Sequence, residues 1–121
     1  MTALLWIALG GGLGALMRHG LGRAVHRALP EQFPYGTLAA NLCGCLLIGL
    51  AWGWLERVRL PPQVAPFLLT GVIGAFTTFS TYSLESIQLM RTGHWAAGLT
   101  NIAVSNAAGL ALVFLGLWMA E

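Results

Sequence analysis

The sequence contains no lysine and no aspartate, and only 8% of its 121 residues are charged. A soluble domain of this size keeps its surface wet with roughly a quarter of its residues charged. Six arginines and four glutamates fall far short of that, which excludes an ordinary soluble globule. The formal net charge of +2 is small and its arginines are scattered, so no nucleic-acid partner is expected.

Cysteine is scarce as well. Cys43 and Cys45 are two apart inside an uncharged run, so on a helix they face different ways. They meet neither disulfide nor metal-site spacing and are expected to be free thiols. The start, Met1-Thr2-Ala3-Leu4-Leu5-Trp6, lacks the basic segment of a cleavable signal peptide, so the first apolar run is expected to be retained. His19, His26 and His94 flank apolar runs, which argues against haem or histidine-ligated metal. There is no catalytic triad, carboxylate pair or zinc spacing, and the chain is not expected to be an enzyme.

What the chain has in abundance is apolar length: 57% of its residues are hydrophobic and the mean hydropathy is +0.75. A helix crossing about 30 Å of hydrocarbon needs roughly 20 residues. Four stretches qualify: Thr2 to Met17 with a mixed continuation past Arg18, Gly36 to Leu55, Leu60 to Leu84 closing at Glu85, and Trp95 to Ala120. Trp6, Tyr35, Trp54, Trp95 and Trp118 fall near their ends, where interfacial aromatics collect. No connection is long enough to separate domains. The chain is therefore read as all-α, a single transmembrane domain of four helices over residues 1–121.

Orientation is weakly specified. The first and third loops carry Arg18, Arg23, Arg27 and Arg91, against Arg57 and Arg59 on the other face. The positive-inside rule gives only a small bias, which nearly vanishes if Arg18 snorkels from within the helix end. A weakly biased chain can insert both ways and pair as an antiparallel homodimer.

Gly10-Gly11-Gly12-Leu13-Gly14-Ala15 superficially fits a dinucleotide-binding pattern, but the strand and soluble helix that pattern requires are missing. Gly10 with Gly14, and Gly49 with Gly53, instead form GxxxG pairs suited to close helix packing. The third span is more unusual. Thr70-Gly71-Val72-Ile73-Gly74-Ala75-Phe76-Thr77-Thr78-Phe79-Ser80-Thr81-Tyr82-Ser83-Leu84-Glu85 puts hydroxyls on every face of an apolar helix. Bonding back to carbonyls four residues earlier accounts for only two or three of them. Gly71 and Gly74 ahead of Thr-Thr also invite a local break, tolerated at membrane depth only where protein or water satisfies the freed backbone.

Asn41 in the second span adds a neutral donor, as do Asn101 and Ser105, which share a face of the fourth with Gly109. One membrane asparagine serves as interhelical glue, but donors on three spans outline a polar pathway. Amide and hydroxyl hydrogens suit an anion, and an unpaired ion in apolar surroundings costs tens of kcal/mol by idealised reckoning, so several donors are required. Phe79 and Tyr82, three apart, can add positive aromatic edges.

These residues reach a known family. The run Gly74-Ala75-Phe76-Thr77-Thr78-Phe79-Ser80-Thr81-Tyr82-Ser83-Leu84-Glu85 closely resembles the third-helix signature of the Fluc (CrcB) fluoride channels. Gly10 to Arg18 resembles the first-helix motif and Tyr35 to Gly44 the second, while Asn101, Ser105 and Gly109 match a looser fourth-helix pattern. The resemblance implies a dual-topology, antiparallel homodimer in the bacterial plasma (inner) membrane. Its two pores would pass fluoride out of the cytoplasm passively and so lower fluoride toxicity. It further implies a structural sodium ion at the dimer centre, held by third-helix carbonyls that fall on Gly74 and Thr77, and no organic cofactor. The paired pore aromatics fall on Phe79 and Tyr82, the pore asparagine on Asn41, the hydroxyl track on Thr81 and Ser105, and the acidic position on Glu85. Tyr82 stands where the family usually has a second phenylalanine, and Ala75 where it often has glycine.

Two other classes stay open at this level. Small multidrug transporters also have four short helices, but they rely on a carboxylate in the first span, and Glu31, Glu56, Glu85 and Glu121 all lie elsewhere. A structural membrane subunit would leave the third-span hydroxyls without a role.

Overall fold

The computed structural model describes residues 2–121, and its regular structure is entirely helical among them. Helix α1 spans Thr2–Ala28 and α2 spans Tyr35–Arg57. The third span opens with a π-helical segment, Pro66–Ile73, and one α-helical turn, α3, Gly74–Phe76. It resumes as α4, Phe79–Arg91, and α5 covers Trp95–Met119. Four stretches, Thr2–Ala28, Tyr35–Arg57, Pro66–Arg91 and Trp95–Met119, are long and apolar enough to cross a membrane.

The boundaries differ from the apolar runs in two places. Helix α1 continues ten residues past Arg18, because Arg18, Arg23 and Arg27 halt the hydrophobic run but not the backbone hydrogen bonding. At 1.5 Å per residue its 27 residues reach about 40 Å, beyond a hydrocarbon core of about 30 Å. The third span starts at Pro66 instead of Leu60, since Pro61 and Pro62 lead into a turn closed by Val64 N–H to Pro61 O. It ends at Arg91 in a Schellman arrangement: His94 N–H bonds Leu89 O and Gly93 N–H bonds Met90 O. Gly93 has φ +88°, a conformation that costs a residue with a side chain.

Helix α1 packs on the π segment and α3, and α2 packs on α5, with α4 also against α5. Small residues allow the close approach. A Cβ at Gly10 would run into Phe67 O, and one at Gly14 into Val72 O. On the other pair, a Cβ at Gly49 would meet Val113 O and one at Gly53 the Ala120 side chain. Between membrane helices there is little hydrophobic drive, so such backbone contact and hydrogen bonding supply the association. Trp6 adds an edge-on contact to Phe67, with centroids 5.7 Å apart, and Arg57 Nη1 donates to Ala120 O near the C-terminus. The outer surface carries large exposed apolar side chains such as Leu16, Leu110, Phe114 and Trp118. Cys43 and Cys45 are free.

Candidate functional site

The site grows from two residues, Thr77 and Thr78, whose backbone is extended between α3 and α4 (ψ 158° and 113°). In an uninterrupted α-helix, Thr78 N–H would bond Gly74 O, and Thr81 N–H would bond Thr77 O. Both amides go elsewhere. Thr78 N–H donates to Asn41 Oδ1 at 2.8 Å, and Thr81 N–H donates to Thr78 Oγ1 at 3.2 Å, an N-cap. The carbonyls of Gly74 and Thr77 are thereby released from their helical donors.

Helix α2 supplies the other half. Asn41 Nδ2 donates to Thr78 O at 3.1 Å, so one side chain replaces both a donor and an acceptor. Gly44, one turn further on, makes room for Thr77: a Cβ there would collide with Thr77 Cγ2. Helix α1 contributes Arg18, whose Nε donates to Ala75 O at 3.1 Å. That charged donor occupies a carbonyl near the C-terminal end of the α3 turn, where the partial charge is negative.

Asn41, Gly44, Gly74, Thr77 and Thr78 line a cavity of about 320 Å³ together with Phe79, Tyr82, Ser105 and Asn106. Cys45, Ile48, Leu69 and Ile73 complete its mostly apolar wall. The rings of Phe79 and Tyr82 lie 5.6 Å apart, tilted by 50°. Phe79 is 79% exposed, whereas Tyr82 is buried. Tyr82 Oη accepts from Asn106 Nδ2 at 3.0 Å. A chain of hydrogen bonds leads from the half-buried Ser105 to the Tyr82 backbone: Ser105 Oγ donates to Asn101 Oδ1 at 3.5 Å, Asn101 Nδ2 to Ser86 Oγ at 2.9 Å, and Ser86 Oγ to Tyr82 O at 2.8 Å, the last two buried.

The structure thus brings Asn41, Gly74, Thr77, Phe79, Tyr82 and Ser105 to one cavity. Thr81 and Glu85 are not part of its wall. Thr81 Oγ1 accepts from Thr78 Oγ1 at 3.0 Å, and Glu85 Oε1 accepts from Thr37 Oγ1. Thr37 in turn lines a neighbouring cleft with Arg18, His19, Arg23 and His26. Sequence reasoning passed over Asn106, Ser86 and Thr37. Asn106 carried a usable signal, an uncharged polar side chain inside an apolar span. Ser86 and Thr37 carried none beyond their type.

A neutral cavity of amides, hydroxyls and ring edges beside freed carbonyls can stabilise a small desolvated ion without any fixed charge in its wall. The family model described as "CrcB-like protein, Camphor Resistance (CrcB)" matches residues 5–117. The chain belongs to the CrcB family. It is 53% identical over 116 residues to a fluoride-specific ion channel FluC of Salinibacter ruber, covering 96% of this chain and 87% of that one. Against the fluoride-specific ion channel FluC of Nitratidesulfovibrio vulgaris the identity is 47%, covering 97% and 95%. The CrcB relative from Magnetococcus marinus, with the same name, is 42% identical over 93% and 92%. With four membrane-length helices and relatives of this kind, the CrcB-family chain is a multi-pass membrane protein, and the family is one of channels, a non-enzyme class.

Proposed function

We propose that this chain is a fluoride-selective channel that lets cytoplasmic fluoride leave passively and so lowers its toxicity. The observation that carries the reading is the cavity at the interrupted third span, lined by Asn41, Phe79, Tyr82 and Ser105 without a fixed charge. Stripping water from an anion is costly unless donors replace it. The Asn41 amide hydrogen not used on Thr78 O, the Thr81 hydroxyl and the edges of Phe79 and Tyr82 supply those donors. Thr81 and Glu85, beside the lined cavity, extend the polar track toward Thr37.

The functional unit is an antiparallel, dual-topology homodimer with two pores. The exposure of Phe79 supports this, since a pore aromatic open to one side needs a second wall. A structural sodium ion belongs at the dimer centre, where Gly74 and Thr77 of each protomer would hold it. The fit rests on the diversion of their helical donors, which leaves two carbonyl oxygens for a hard cation. Bound there, the ion would neutralise carbonyl dipoles and tie the protomers together, and an ion on the two-fold axis suits isologous symmetry.

The bacterial inner membrane suits the direction. An inside-negative potential of about 100 mV favours anion expulsion by roughly 2.3 kcal/mol per charge. That corresponds to about a fifty-fold gradient at equilibrium, so no coupling device is needed.

The test is fluoride release from liposomes holding the purified protein, followed with a fluoride electrode and with chloride as control. Rapid fluoride loss with chloride retained, abolished by Phe79→Ile, is the expected result. Retention of fluoride by liposomes containing verified dimers would overturn the channel and favour a structural subunit.

A further inference from the structure

The hydroxyl protons of the cavity can be accounted for one at a time. Thr77 Oγ1 donates to Ile73 O at 3.2 Å, Thr78 Oγ1 to Thr81 Oγ1 at 3.0 Å, and Ser105 Oγ to Asn101 Oδ1 at 3.5 Å. Each has an acceptor within the chain. The Tyr82 phenol is different, because its only partner among the described residues, Asn106 Nδ2, is a donor.

The direction of that bond follows from the backbone. The same Asn106 nitrogen lies 2.8 Å from Ile102 O. A carbonyl can only accept, so it fixes which end of the Asn106 amide is NH2. With the nitrogen so fixed, Tyr82 Oη must accept from it. The phenol keeps its own hydrogen, in a buried residue lining the cavity beside Asn41 and Phe79. A hydroxyl that already accepts is also polarised into a better donor.

We propose that Tyr82 is a direct hydrogen-bond donor to the permeating anion through its phenol, and that Asn106 is the positioning residue that keeps this hydrogen pointed away from the α5 backbone. This rests on the channel reading above and adds to it. An edge-on ring offers only weakly positive carbon-bound hydrogens, whereas the phenol offers a full O–H donor. Asn106 acts through Tyr82 and contributes nothing directly, since both of its amide hydrogens are engaged.

Efflux rates from liposomes measured across a range of fluoride concentrations test this, each rate normalised to the number of dimers. Tyr82→Phe keeps the ring and removes the hydroxyl. It should raise the half-saturating fluoride concentration about tenfold, the size of one hydrogen bond to an ion, with a smaller change in maximal rate. Asn106→Leu should raise it as well. In the Tyr82→Phe background, Asn106→Leu should then add nothing, because its target is gone. A merely structural role would lower the maximal rate or the dimer yield and leave half-saturation in place.

Half-saturation within twofold of the parent in Tyr82→Phe overturns the donor role while leaving the channel intact. Equal and additive effects of the two substitutions overturn the positioning role of Asn106. If Tyr82→Phe fails to assemble, Asn106→Leu alone decides, and unchanged half-saturation there overturns the proposal. Absence of fluoride release by the unsubstituted protein is a different failure and removes the channel reading itself.

Discussion

Asn41 holds Thr78 at both of its backbone polar groups, accepting from its N–H at 2.8 Å and donating to its C=O at 3.1 Å. A single side chain on α2 thereby takes the place of two helical hydrogen bonds on the third span. Only a neutral amide offers a donor and an acceptor in that fork. The chain can leave helical geometry at membrane depth because the groups set free are paired within the protein.

Asn41→Asp is accordingly expected to be worse than a simple loss of size. The carboxylate can accept from Thr78 N–H but cannot donate to Thr78 O, and it places a negative charge in the proposed anion path. Liposome efflux of fluoride should fall at least a hundredfold. Asn41→Ala, which strands both backbone groups, should also lower the unfolding free energy in detergent by about 1–3 kcal/mol.

The glycines of α1 should divide sharply. Gly14→Ala drives a methyl into the Val72 carbonyl and is expected to destabilise by about 1–3 kcal/mol or more, as overpacking does. Gly12→Ala meets nothing within 4 Å and should be neutral or stabilising by up to about 1 kcal/mol through helix propensity. Thermal unfolding of the two variants side by side reads the difference.

Ser86→Ala removes the acceptor for Asn101 Nδ2, and both residues are only 2% exposed. A buried donor left without a partner costs about 1–3 kcal/mol, and the melting temperature should drop accordingly. Fluoride flux per folded protein should change little, because neither Ser86 nor Asn101 lines the cavity.

Arg18→Met should release Ala75 O from its charged donor. A hydrogen bond to a charged group contributes about 1.5–3 kcal/mol, so denaturant or heat should unfold this variant earlier than the parent. Lysine at this position is not equivalent, since it lacks the Nε that makes the contact.

The sodium proposal predicts a mass-action signature. In excess over its dissociation constant, each tenfold increase in sodium should add about 1.4 kcal/mol per ion bound to the folded dimer. Replacing sodium with a bulky organic cation should remove that increment. A melting temperature that follows ionic strength alone would count against the ion site.

The composition alone determined that this chain lives in a membrane, because so few charges cannot wet a globule and apolar runs of spanning length fill the remainder. The family was legible in the third-span signature, and the close-packing glycines were legible as spacings. Which polar groups meet was decided only by tertiary structure. Asn41 and Thr78 are 37 residues apart, Arg18 and Ala75 57 apart, and Asn106 and Tyr82 24 apart. In water, an apolar stripe tells which face of a helix turns inward. In a membrane the lipid is as apolar as the core, so that stripe is lost. The facing surfaces then follow from where backbones can touch, at Gly10, Gly14 and Gly49, and those contacts carry Asn41, Asn106 and Arg18 to partners that no spacing in the sequence announces.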